Sequence, residues 1–270
     1  MTPRQAFLAC LEHGPDSLFE AALWIAAEHD AAVRPDQLMQ RLGELQVEIS
    51  TGLPSLPAAE LAQPLLRGLN AAGFAQADDY PLRPGAALLD QVLQRKRGQP
   101  LALGLIGLEL ARRLGIPLQG VNFPGHFLLR VPGADHQLDP CGGRRLYPSD
   151  CRELLARQFG AKQTLSAEHL RVASPAGMLQ RLSRNLRHLH GSHDDYLAAL
   201  KDADRVLLIG PPEATDHIAR AGLYLRLECP QAERFDLEHA LLLSEDLLQR
   251  MQLTARLKGL PHPPGRSSIH

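Results

Sequence analysis

The stretch from Arg97 to Pro140 constrains this chain more than any other, because it encodes a helix with both ends marked. Pro100 suits a first helical turn, since its missing N–H would have no intrahelical partner there, and Gly115 followed by Pro117 marks the other end. Between them Leu101, Leu105 and Leu108 recur at helical spacing. Gly104, Gly107 and Ala111 form a second stripe of small residues that permits close backbone approach, and Glu109 stands four residues before Arg113. The spacing predicts a central helix over residues 100–114 that packs tightly on a neighbour.

Strand signals follow. Leu118 to Val121 is a short candidate, and His126 to Val131 a better one, with Pro132-Gly133-Ala134-Asp135 as a turn and His136 to Asp139 returning antiparallel. A hairpin closing symmetrically about Gly133 and Ala134 pairs Val131 with His136, Leu128 with Asp139 and His126 with Cys141. Period-two geometry then places His126, Asp139 and Cys141 on one sheet face. A one-residue slip would separate them.

A capped helix, a short strand, a histidine-led strand and an aspartate, in that order, suggest a cysteine-hydrolase core. Such a site needs a thiol at the helix start, where the positive end of the helix dipole favours thiolate, with a histidine and a carboxylate on neighbouring strands. Here the helix starts with Pro100. The pattern therefore speaks for the fold more than for the activity.

With 270 residues, 44% of them apolar, the chain is long enough for two cores. Lys and Arg number 29 against 30 Asp and Glu, so no overall field attracts a phosphate backbone, and nucleic acid is not an expected partner. Arg95-Lys96-Arg97, Arg144-Arg145 and the row Arg181, Arg184, Arg187 are local basic clusters, most simply solvated faces, although Arg184 and Arg187 are candidates to meet an acidic partner. Cys10, Cys141, Cys151 and Cys229 form no C-x-x-C pair, which argues against a zinc site or a disulfide framework and fits a reducing cytoplasm. No apolar signal core follows Met1, and the uncharged stretch near residues 98–108 is too short to span a bilayer, so no membrane association is expected.

Residues 1–75 read as helical. Ser17 and Glu20 are spaced as a capping box, and Leu38, Leu42, Leu45 and Ile49 form a core stripe before Gly52, Pro54 and Pro57 interrupt it. Helices are expected over 58–72 and 86–96. After Gly142-Gly143 helical signals dominate: Ser174-Pro175 opens a helix carrying Leu179, Leu182, Leu186 and Leu189, and Asp194 is a candidate cap for the next. Further helices are expected near 214–227 and 233–250, giving two helical hairpins with a loose repeat near the tetratricopeptide length. From Gly259 the Pro-, Gly- and Ser-rich tail is expected to be flexible.

Several motifs together resemble the SirB family, bacterial proteins that join a transglutaminase-like domain to tetratricopeptide-type helices. They are Leu89-Asp90-Gln91-Val92-Leu93, Arg97-Gly98-Gln99-Pro100, Ala111-Arg112-Arg113-Leu114-Gly115-Ile116-Pro117 and Gly120-Val121-Asn122-Phe123-Pro124-Gly125-His126-Phe127. The resemblance covers most of residues 65–255. It implies an α+β fold: a transglutaminase-like, papain-like core with a helical N-terminal region over 1–170, an antiparallel sheet, and tetratricopeptide-like helical hairpins over 171–258, with 259–270 as the tail. In the wider superfamily a cysteine lies about fifteen residues before the glycine of the Leu-Gly-Ile-Pro motif, and counting back from Gly115 reaches Pro100. The resemblance places His126 and Asp139 at the superfamily's histidine and acidic positions, so two members of the triad are retained without the usual nucleophile.

The candidate site is therefore His126, Asp139 and Cys141. Against it stand plainer readings: His126 as a histidine satisfied by its surroundings, Asp139 as a turn residue before Pro140, and Cys141 as an inert thiol. A metal reading of His126, His136, Asp139 and Cys141 is weak, because His136 would lie opposite Val131 on the other face and the remaining three ligands would need helpers, and no cofactor is expected. The leading expectation is a non-catalytic, cytoplasmic protein-interaction or regulatory module with a protein or peptide partner. The alternatives are an acyl-transfer enzyme or amidase, with Cys141 as displaced thiol, His126 as base and Asp139 as orienter, or a binding domain whose vestigial cleft holds a peptide uncut.

Overall fold

The fold is α+β. The structure is a computed structural model that describes residues 1–261, and the tail expected to be flexible lies outside them from residue 262 onward. Four helices come first, α1 (Pro3–Glu12), α2 (Leu18–His29), α3 (Pro35–Thr51) and α4 (Ala62–Ala71). Strand β1 (Ala75–Gln76), helix α5 (Leu89–Arg95) and strand β2 (Arg97–Gly98) lead to the central helix α6 (Pro100–Arg113). Strands β3 (Gln119–Val121), β4 (Leu128–Arg130), β5 (Gln137–Leu138) and β6 (Arg145–Leu146) precede helix α7 (Pro148–Phe159). Five helices complete the described chain: α8 (Pro175–Ser192), α9 (Tyr196–Ile209), α10 (Ala214–Arg226), α11 (Pro230–Leu243) and α12 (Leu247–Gly259). The chain divides into two compact units, residues 1–182 and 183–270. Among the described residues no helix is long and apolar enough to cross a membrane.

In the first unit α6 forms where the sequence places it. Its C-terminus closes with Gly115 at a φ of 67° and with the Ile116 N–H bonded to the Ala111 carbonyl at 2.8 Å, a left-handed cap that only glycine adopts without strain. The small-residue stripe is a contact surface. A Cβ added to Gly104 would lie 2.5 Å from Phe127 Cε1, and one added to Gly107 would lie 3.0 Å from Leu66 Cδ2 and 3.9 Å from Leu129 Cδ1. Glu109 is buried and held by Arg112 at 2.9 Å and Arg113 at 2.7 Å, one arginine more than the sequence spacing suggested.

The antiparallel sheet runs in the order β3-β4-β5-β6, and β1 pairs separately with β2 in parallel. Leu129 faces Leu138 and Arg130 faces Gln137, the register expected from symmetric closure of the hairpin. Regular pairing is shorter than expected, however: it begins at Leu128 and not at His126. Val121, Phe123, Leu128 and Leu146 pack with Cys151 and Leu155 of α7 into one core cluster. Of the stripe expected in α3, Leu42, Leu45 and Ile49 are buried and Leu38 is half-buried. Ser17 does precede α2, but it makes no capping bond, because it ends a 3-10 turn with φ −98° and ψ 7° and lacks the extended backbone that aims a cap oxygen at the helix.

In the second unit, Leu186 and Leu189 of α8 are buried. The cap of α9 is Asp195, whose side chain accepts from the Ala198 N–H at 3.1 Å, and not Asp194, which occupies the preceding turn at a φ of 60°. Ala199, Ala203 and Leu223 form one cluster with Tyr196 and the half-buried Leu200, while Ala221, Leu237, Ala240 and Leu253 form another. The helix expected over 233–250 is two helices. Asp246 caps α12 through the Gln249 N–H at 2.9 Å, and Arg250 donates to the Leu241 and Ser244 carbonyls, so the break satisfies its backbone without glycine or proline.

Candidate functional site

Pro124 and Gly125 form the turn that carries His126. Gly125 has a φ of 69°, and a Cβ there would lie 2.7 Å from Gln158 Cγ, so backbone conformation and the proximity of α7 both favour glycine. The His126 N–H bonds to the Phe123 carbonyl at 3.1 Å, which closes the turn and takes His126 out of the strand ladder. Strand parity therefore does not extend to His126. Phe127, the next residue, packs on Gly104 one turn into α6, and Pro140 lies beside the same glycine. The start of α6 is thus near both arms of the hairpin, as the resemblance implies, with Pro100 as its first residue.

Asp139 and Cys141 lie in the β5–β6 turn. An Asp139 carboxylate oxygen accepts the Cys141 N–H at 2.8 Å, the Gly143 N–H bonds to the Asp139 carbonyl at 2.8 Å, and Gln63 Nε2 donates to the Gly143 carbonyl at 2.8 Å. The aspartate is a turn organiser. Its charge still acts on His126, although among the described residues no hydrogen bond joins the two side chains. Burial holds the His126 imidazole below the usual histidine range, Asp139 opposes this, and Arg181 and Arg144 add to the lowering. A carboxylate raises the histidine only where it outweighs desolvation, and here desolvation is the larger influence.

Cys141 is half-buried, and its thiol is pushed far above the usual range, first by burial and then by the Asp139 charge and a hydrogen bond to Asp139. His126 is not among the groups that act on it. A thiol beside a carboxylate, without a cation or a helix start, remains protonated at neutral pH.

Arg181, which the sequence showed only as part of a basic row, proves to belong here. Its Nη1 donates to the Phe123 carbonyl at 2.8 Å, and burial pushes its guanidinium down to about 10. The two other arginines of the row behave differently from expectation. Arg184 binds Asp216 at 2.7 Å and Glu213 at 3.0 Å, and Arg187 binds Asp216 at 3.3 Å. Their side chains are 29% and 17% exposed, so neither is the accessible, uncommitted cation foreseen for an acidic partner. His136, set aside as a ligand, bonds to Asp135 at 2.8 Å. A separate cavity of about 270 Å³ is lined by Leu105, Leu108, Gln119, Val172 and Met178 among others, and none of His126, Asp139 and Cys141 borders it.

With a central helix packed through Gly104 and Gly107 against the residues of an antiparallel hairpin, the chain belongs to the transglutaminase-like superfamily, whose family model matches residues 36–184. More particularly, the chain is 58% identical over 268 residues to the UPF0162 protein PA3419 of Pseudomonas aeruginosa, a match covering 99% of each chain. It is 26% identical over 170 residues to Protein SirB1 of Salmonella typhimurium, covering 62% of this chain and 63% of that one, in agreement with the SirB-type motifs. F-box only protein 21 of Homo sapiens is 32% identical over 178 residues, which are 61% of this chain and 27% of that one.

Proposed function

We propose that this protein is a non-catalytic member of the superfamily, a cytoplasmic interaction or regulatory module that binds a protein or peptide partner. The observation that carries the reading is the start of α6: Pro100 stands where a nucleophilic thiol would gain from the helix dipole, and Cys141 lacks that assistance while an aspartate opposes its ionisation. The reading is compatible with the match to F-box only protein 21, in which the similar stretch makes up 27% of a longer chain. In this reading the helices from α9 onward act as tetratricopeptide-like hairpins with a partner surface of their own.

Thiol labelling tests the proposal. Native protein treated with iodoacetamide at neutral pH is expected to react first at the exposed Cys229, with Cys141 reacting only on unfolding. Rapid labelling of Cys141 that disappears in His126→Ala would establish a displaced dyad and reverse the reading.

A further inference from the structure

Among the described residues Arg181, beside the His126 turn, has no carboxylate as a direct partner. Arg181 Nη1 and the His126 N–H donate to the same oxygen, the Phe123 carbonyl, at 2.8 Å and 3.1 Å. The guanidinium is thereby fixed to the turn that carries the histidine. That is its one hydrogen bond among the described residues, and no carboxylate there pairs with it. A guanidinium carries several further N–H donors, and a cation taken out of water without a counter-charge is costly. The other groups acting on His126 are Asp139 and Arg144, the latter leaning on Asp150 at 3.8 Å.

We propose that the corner formed by Arg181, His126 and the Phe123–Gly125 turn is a carboxylate-binding site, which takes the C-terminal carboxylate or an acidic side chain of a peptide. The assignment rests on the binding reading above and names the chemical group of the partner that is recognised. Charge decides the class. Arg144 reaches Asp150 at 3.8 Å, whereas among the described residues no carboxylate pairs with Arg181, so Arg181 is the cation left without a direct partner. A carboxylate fills that place with a single negative charge. Inorganic phosphate as the dianion would add a second negative charge to that of Asp139 near His126. The planar guanidinium also suits the two oxygens of a carboxylate.

The test uses the full chain and the imidazole resonance of His126, assigned by its disappearance in His126→Gln. The probes are acetyl-Gly-Gly as the free acid, the same peptide as its amide, acetyl-Asp-amide and inorganic phosphate. The free acid or acetyl-Asp-amide is expected to raise the His126 titration midpoint saturably, because a bound carboxylate favours imidazolium, and the comparison of the two identifies the source of the carboxylate. Arg181→Gln is expected to weaken that binding by about tenfold or more. Equal binding of acid and amide, or tighter binding of phosphate, overturns the carboxylate assignment while leaving peptide binding intact. No binding of any probe overturns the site itself, and this comparison in the unmutated chain does not depend on a variant that might misfold. Cleavage of a peptide would instead overturn the non-catalytic reading on which the site rests.

Discussion

His126 sits between opposing influences, and their balance sets its protonation. Burial and two arginines favour the neutral ring, and Asp139 alone favours the cation. Asp139→Asn is therefore expected to lower the His126 midpoint further, as read by NMR titration; an unchanged midpoint would show that the carboxylate is too remote to matter. The same balance has a consequence for stability. Because the folded-state value lies below the unfolded one, the unfolded chain takes up the proton first as pH falls, so stability is present above the ordinary histidine range and declines through it. His126→Gln should show a smaller difference in urea midpoint across that range than the natural chain. The sequence located His126, Asp139 and Cys141 but not what each does. Asp139 followed by Pro140 carried its turn role openly, whereas the role of Arg181 depends on a contact across 58 residues, which spacing cannot convey.

At the level of elements the central helix and the hairpin were legible, because both are bounded by residues with strong backbone demands. Pro100 and Gly115 end α6, and Gly133, at a φ of 82°, sets the turn that gives Leu129 its partner Leu138. The shortening of β4 at its start was less so, since Phe127 to Arg130 reads as strand while the turn bond from His126 to Phe123 competes locally with the ladder. The break between α11 and α12 was missed because Ser244, Glu245 and Asp246 look like helix surface until Asp246 is seen to cap. The glycine stripe offers a graded test. Gly104→Ala gains about 1 kcal/mol of helix propensity but forces a methyl against the Phe127 ring, for which overpacking costs about 1–3 kcal/mol. A net loss is expected in chemical denaturation. At Gly107 the nearest atom is the end of the flexible Leu66 side chain, so Gly107→Ala should be close to neutral. Equal losses at the two positions would show that the stripe is not read correctly as contact surface.

Across the whole molecule, the basic clusters that stand out in the sequence are largely engaged by the chain itself. Lys96 donates to the Ala72 carbonyl and Arg97 to the Gly73 carbonyl, while Arg184 and Arg187 share Asp216. The same economy recurs in the second unit, where Arg205 holds Asp202, Arg220 holds Asp236 and Asp204, and Arg256 holds Glu233. With a net charge of −1, these carboxylate-paired arginines contribute little uncompensated positive field. Binding to a polyanion draws its strength from cations that release counterions, and each arginine paired with a carboxylate must first surrender it. The chain is therefore expected not to shift a short duplex DNA in a gel at low salt, the condition most favourable to such binding. Retardation that weakens steeply as salt is added would reveal an uncommitted basic face and would move the partner from peptide to nucleic acid. Failure to shift, together with binding of the free-acid peptide, would place the chain's recognition in one small cationic corner and not in its overall field.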